Sequence, residues 1–199
     1  MLKKSTILAI LVLLPMTTLN SQQASDTALR DRAVALLKQS PLIDGHNDYP
    51  WALREKAQRD LSKLDIAKPQ PSIMTDIARL KAGGVGGQFW SVYTPAELQG
   101  NGAVTATLEQ IDIVYSMIRK YPETFELALT ADDVERIFKK GKIASLIGME
   151  GGHSIDNSLA TLRMFSRLGA KYMTLTHGKN TPWADSATDE PKLGGLSPF

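Results

Sequence analysis

The sequence contains no cysteine. That absence excludes a disulfide framework, a thiolate metal site, a thiol nucleophile and a lipid-modified cysteine near the N-terminus. Any metal must be held by His, Asp or Glu, and histidine is scarce as well: His46, His153 and His177 are the 3 in 199 residues. A large excess of charge of either sign is also missing, because 23 Lys and Arg face 21 Asp and Glu. With no basic stripe and no interleaved aromatics, the sequence gives no support to a nucleic-acid partner. The N-terminal apolar run, residues 7–14, falls well short of the roughly 20 residues that a spanning helix needs. What is present is ordinary globular usage, with 43% hydrophobic and 22% charged residues, 15 Gly and 10 Pro, which excludes disorder and collagen-like structure.

Lys3 and Lys4 precede that apolar run, and Pro15 with the polar, small stretch Thr17, Thr18, Asn20 and Ser21 follows it. This is the pattern of a secretory signal peptide, expected over residues 1–24 with cleavage between 20 and 25. Loss of Lys3 and Lys4 takes the 23 basic residues to 21, equal to the 21 acidic ones, so the mature chain is expected to be near neutral. The expected location is exported, periplasmic or extracellular, with no stable membrane span after cleavage. Residues 25–199 suffice for one sizeable core and are read as part of a single domain.

Periodicity predicts helices from Ser25 or Asp26 to 38, over 73–81, 104–120, from Asp132 or Asp133 to 140, and over 157–168. On the 104–120 helix, Leu108, Ile111, Val114 or Tyr115, and Ile118 are expected on one side. Strands are predicted over 42–48, 85–93, 125–129, 143–149 and 172–176, and the near-continuous apolar character of 143–149 implies burial on both faces. The charged stretch 50–71 reads as a surface excursion with a helical turn or two. Strands alternating with helices imply a parallel α/β sheet with right-handed crossovers. A doubly wound sheet and a barrel both satisfy this, but no dinucleotide fingerprint follows the first strand, and polar residues collect at strand C-terminal ends, which favours the barrel. A full barrel takes about 250 residues and eight strands. No clear sixth strand follows His177, only a Gly, Pro and Asp-rich loop, so the expectation is a barrel truncated after about five strands.

Three strand ends carry candidate chemistry. His46 and Asp48 stand two apart at the end of the first strand, where both side chains reach one face and one ion; a polar turn with backbone hydrogen bonds would equally use them. Glu150 ends the apolar fourth strand, where an unpaired carboxylate is unfavourable; it is either a second contributor to that site or the cap of the next helix. His177 closes the fifth strand and could bind metal, polarise a carbonyl or stabilise an oxyanion, or simply make a rim hydrogen bond. His153, between Gly152 and Ser154, is expected to be structural.

Four blocks in order, Asp44-Gly45-His46-Asn47-Asp48, Gly86-Gly87-Gln88-Phe89-Trp90-Ser91-Val92-Tyr93, Gly148-Met149-Glu150-Gly151-Gly152-His153-Ser154 and residues 175–185 from Leu175-Thr176-His177 to Pro182-Trp183-Ala184-Asp185, closely resemble the membrane dipeptidase family, also called renal dipeptidase or dehydropeptidase. The resemblance covers residues 41–199. It implies a TIM (β/α)8 barrel of the metal-dependent hydrolase type, acting on the peptide bond of dipeptides with two Zn2+ ions bridged by one carboxylate. By the same resemblance His46 and Asp48 match ligands of the first metal, Glu150 the bridging, catalytic glutamate, and His177 the histidine that contacts substrate. Tyr93 and Trp51 lie where the family lines its dipeptide pocket. Two cations about 3.5 to 4 Å apart can hold a hydroxide as nucleophile at neutral pH and polarise the scissile carbonyl. Oxygen and nitrogen ligands alone would also suit manganese or cobalt.

The family also uses two further histidines, an aspartate and an arginine beyond the fifth strand, for which this sequence has no candidate. The implied activity is therefore that of a full-length protein, with a homodimer a further implication. The 199-residue chain is expected to bind zinc poorly and to be inactive alone. Two other readings compete: a non-catalytic secreted binding protein on a degenerate barrel, and another metal-dependent amidohydrolase-like enzyme. His-x-Asp in place of His-x-His, and the blocks around Trp90 and Trp183, count against the latter.

Overall fold

Residues 16–37 contain neither glycine nor proline, and they form one helix, α1 (Met16–Leu37). The computed structural model describes residues 16–198; the leader's apolar run at 7–14 lies outside the described residues. The predicted start at Ser25 or Asp26 is corrected, because nothing between 16 and 25 breaks a helix and α1 runs straight through. Residues 1–39 separate as one compact unit and 40–199 as another. In the first, Leu29, Val34 and Leu36 of α1 are exposed.

The second unit contains β1 (Leu42–Asn47), α2 (Tyr49–Ala57), α3 (Ile77–Ala82), β2 (Val85–Tyr93), α4 (Ala103–Lys120), β3 (Phe125–Leu127), α5 (Ala131–Lys139), β4 (Ile143–Glu150), α6 (Leu159–Arg167) and β5 (Ala170–Met173). Every strand pair is parallel, as alternation of strands and helices requires. β2 pairs β1 on one side and β4 on the other, in unbroken register from Gly87 opposite Ala144 to Tyr93 opposite Glu150. One edge of β4 is thereby filled. Its other edge is shared, with β3 beside residues 143–145 and β5 beside 147–149. Among the described residues five strands are present as predicted, and β3 is a short piece at the N-terminal end of the sheet.

Successive side chains of a strand point to opposite faces, and both faces of this sheet are used. On one, Trp90, Val92, Ile147 and Met149 pack with Tyr49 and Leu53 of α2 and Val114 and Met117 of α4, all buried. Trp90 stands edge-on to Phe125, centroids 5.5 Å apart, and to Tyr49 at 6.2 Å. On the other face, Phe89, Ala144 and Leu146 meet Val134 and Ile137 of α5. That helix covers the N-terminal half of this face. Alternation places Ser91, Tyr93, Gly148 and Glu150 on its C-terminal half.

Several local expectations change. Tyr49–Ala57 is not a surface excursion: Tyr49, Leu53 and Ala57, spaced four apart, are buried, and the Tyr49 hydroxyl donates to the carbonyl of Leu64 at 2.7 Å. α3 begins at Ile77, because the Asp76 carboxylate accepts from the Arg79 amide and caps it there. Leu108 of α4 is exposed, while Ile111 and Val114 are buried as expected, with Gln110 and Met117 beside them. β5 ends at Met173, four residues before His177, so His177 stands in the following loop and does not close the strand. The Thr174 hydroxyl accepts from the Gly151 amide at 2.7 Å, where the chain has already left the strand.

Candidate metal centre

Asn47, at the end of β1, turns the chain toward the site. Its side-chain amide donates to Thr75 Oγ1 at 2.9 Å and to the buried Gln88 at 3.3 Å, while its carbonyl accepts the amide of Tyr49 at 3.0 Å. Asp48, at the N-cap position of α2, makes no side-chain cap bond, and the second helical residue, Pro50, has no N–H to offer one. The Asp48 carboxylate is left for His46, and the helix N-terminus favours its charge. His46 Nε2 lies 3.2 Å from Asp48 Oδ1 and 3.4 Å from Glu150 Oε2.

Glu150 reaches the same point from β4. It caps no helix: the short 3-10 turn that follows, Gly152–Ile155, begins after Gly151. Gly151 has φ +97, where a side chain is strained, and a Cβ there would strike the His153 ring. The glycine thus lets the chain leave β4 sharply while Glu150 stays aimed along the sheet. Ser91 Oγ donates to Glu150 Oε2 at 3.1 Å, and Oε1 faces His177 Nε2 at 3.6 Å.

His46, Asp48 and Glu150 each offer a ligand atom, and these atoms lie within 4.8 Å of one another. Among the described residues neither Asp48 nor Glu150 is paired with lysine or arginine; their ion-pair partners are imidazoles. Two carboxylates and an imidazole converging without a lysine or arginine form a donor set suited to a divalent metal. The His46 imidazole meets side-chain oxygens of Asp48, just past β1, and of Glu150 at the end of β4. A cavity of about 570 Å3, lined by Asp44, His46, Asp48, Thr75 and Arg79 among others, adjoins the donors.

His177, although off the strand, is brought to the cluster. Its ring lies 4.9 Å from that of Tyr93, which stands edge-on to Trp51 at 4.9 Å. The three rings form a continuous run, and His177 carries it to Glu150 Oε1. Burial, then the charge of Glu150, raises the Tyr93 pKa, keeping its hydroxyl protonated and able to donate. His153 is structural, as expected: it is 2% exposed, with Nε2 2.9 Å from the Thr94 carbonyl oxygen, and burial lowers its pKa.

Sequence reasoning missed Ser91, which orients Glu150, and Tyr172 of β5, whose hydroxyl donates to the Gly45 carbonyl at 2.9 Å. The alternation of β2 is the signal that could have found Ser91. It lies on the face that Tyr93 and Glu150 share.

The sequence profile of the Membrane dipeptidase (Peptidase family M19) family matches residues 30–199. Dipeptidase 3 of Mus musculus is 48% identical over 164 residues, 82% of this chain and 32% of its own length. Dipeptidase ataJ of Aspergillus terreus is 45% identical over 166 residues, 79% of this chain and 40% of its own. The chain thus spans about a third to two fifths of these relatives. Among solved structures, a probable dipeptidase from Pseudomonas aeruginosa superposes with TM-score 0.68 at 22% identity, over 84% of this chain and 44% of that one. A metallo peptidase from Rhodobacter sphaeroides, liganded with a phosphinate mimic of the dipeptide L-Ala-D-Ala, superposes with TM-score 0.62 at 23% identity, over 73% and 48%. The shared fold is the β/α barrel, of which the described residues supply five parallel strands. Among the described residues no helix is long and apolar enough to cross a membrane.

Proposed function

The chain belongs to the membrane dipeptidase family, and from that premise we propose that His46, Asp48 and Glu150 hold divalent metal for the hydrolysis of dipeptides by the whole protein. The observation that carries this reading is the convergence of the three ligand atoms within 4.8 Å. We assign zinc as the metal and two ions as the complement. Glu150 supports a bridging role, because Oε2 faces His46 and Ser91 while Oε1 faces His177.

Bound metal would supply Lewis-acid polarisation of the scissile carbonyl and a nucleophile at neutral pH. The chain's own residues do the remaining work. Ser91 fixes the rotation of the Glu150 carboxylate by its hydrogen bond. His177 stands on the open side of that carboxylate, where its imidazole can donate to a substrate carbonyl oxygen as negative charge develops. Tyr93 and Trp51, packed edge-on, present an aromatic wall to the dipeptide, and the Tyr93 hydroxyl is available as a donor.

Release of free amino acids from unblocked dipeptides, with and without chelator, tests the reading on the purified protein and its Glu150→Gln variant. Chelator-sensitive hydrolysis lost in the variant is expected. Hydrolysis indifferent to both, or none by the metal-loaded whole protein, would contradict it. We further propose export by the basic-then-apolar leader; the N-terminal sequence of secreted protein should begin between residues 20 and 25.

A further inference from the structure

The ladder between β1 and β2 fails at the residue that matters most. Asp44 pairs Gln88 and Asn47 pairs Trp90, so Gly45 and His46 together face the single residue Phe89. This is a β-bulge, and ladder hydrogen bonds do not fix the peptides within it. The peptide between Gly45 and His46 is instead held at both polar ends. Its N–H, on His46, donates to Asp44 Oδ1 at 3.1 Å, and its carbonyl, on Gly45, accepts from the Tyr172 hydroxyl at 2.9 Å.

Tyr172 is itself tightly located. Its ring lies over Gly148, where a Cβ would stand 2.2 Å from Cζ and 2.4 Å from the hydroxyl oxygen, and against Phe89, centroids 5.1 Å apart. Neighbouring strands are about 4.8 Å apart, and β2 separates β1 from β4. One hydroxyl touching both outer strands therefore requires a sheet curled toward this face. Burial, then the carboxylates of Glu150, Asp48 and Asp44, raises the phenol's pKa, which keeps the donor proton in place.

We propose that Tyr172 is a positioning residue for His46: reaching from β5 across Gly148, it clamps the bulge peptide that carries the imidazole and so sets His46 against Glu150. The assignment rests on the metal reading for its consequence, though the clamp does not. Tyr172→Phe keeps the ring and removes only the hydroxyl. Tyr115→Phe is the control, because the Tyr115 hydroxyl donates to the Leu168 carbonyl at the same 2.9 Å.

Two readouts on the whole protein separate the possibilities: Co2+ affinity by calorimetry, and hydrogen exchange of the segment 42–48 without metal. Tyr172→Phe should weaken Co2+ binding about tenfold to a hundredfold, the range for residues that orient a ligand, and should speed exchange of the segment. Tyr115→Phe should do neither. Wild-type affinity and exchange in Tyr172→Phe would overturn the proposal, as would equal losses in both variants, which would mark general destabilisation. Faster exchange in Tyr172→Phe with no Co2+ binding by the wild type would uphold the clamp and refute the metal reading.

Discussion

Replacing Gly148 with alanine asks whether the face that carries the site is packed as described. The new methyl would lie 2.2 to 2.5 Å from two ring carbons and the hydroxyl oxygen of Tyr172. Backbone retreat is blocked, because β4 is laddered to β2 on one side and to β5 on the other. The ring cannot easily move either, with Phe89 behind it and its hydroxyl on the Gly45 carbonyl. Overpacking of this kind costs about 1 to 3 kcal/mol, and losing the hydroxyl bond adds about 1 kcal/mol. In a unit of this size that lowers the Tm by about 5 to 15 °C, read by circular dichroism on heating. The clash has one named partner, so it should vanish with that partner. In a Tyr172→Ala background the same change should cost less than about 0.5 kcal/mol, since alanine is better tolerated than glycine in a strand. A Tm within about 1 °C of wild type for Gly148→Ala alone would refute the reasoning, as would a penalty undiminished in the Tyr172→Ala background.

Further outcomes follow from individual contacts. Glu150→Gln should weaken Co2+ binding at least about tenfold while leaving the metal-free circular dichroism spectrum unchanged; calorimetry reads the difference. Burial holds the pKa of His153 below its ordinary 6.5, so the unfolded chain binds the proton first and stability declines as pH falls from 6.5 toward the depressed value. His153→Asn, which cannot titrate, should show a flatter Tm between pH 7.5 and 5, whereas an unchanged slope would place the titration elsewhere. Thr130 and Asp133 form a capping box at the start of α5; Thr130→Ala should cost about 1 kcal/mol on thermal denaturation, with Co2+ affinity unaltered.

The parts of this fold that were legible in the sequence are those whose signal is local. β4 reads as an apolar run ending in a carboxylate, and it is buried from 143 to 149 with Glu150 at its tip. α2 was obscured because Arg54, Glu55 and Lys56 interrupt the eye, while the stripe Tyr49, Leu53, Ala57 that buries it has only three members. The extent of β5 is hidden for a different reason: Thr174 and Thr176 have strand propensity, yet the Thr174 hydroxyl serves the Gly151 amide and the ladder stops at Met173. His46, Asp48 and Glu150 were identifiable as strand-end donors. What brings them together was not. The bulge at Gly45 and His46 and its contact with Tyr172, 127 residues away, depend on strand register and sheet curvature, which no window of sequence contains.

The central claim is that His46, Asp48 and Glu150 form one metal site. Titrating the metal-free whole protein with Co2+, followed by its visible ligand-field absorption, tests this most directly when His46→Ala is titrated beside it. Saturable Co2+ binding in the wild type, with at least one site lost in the variant, is the predicted result. Absence of a saturable signal in the wild type, or the same signal in both proteins, would contradict the account.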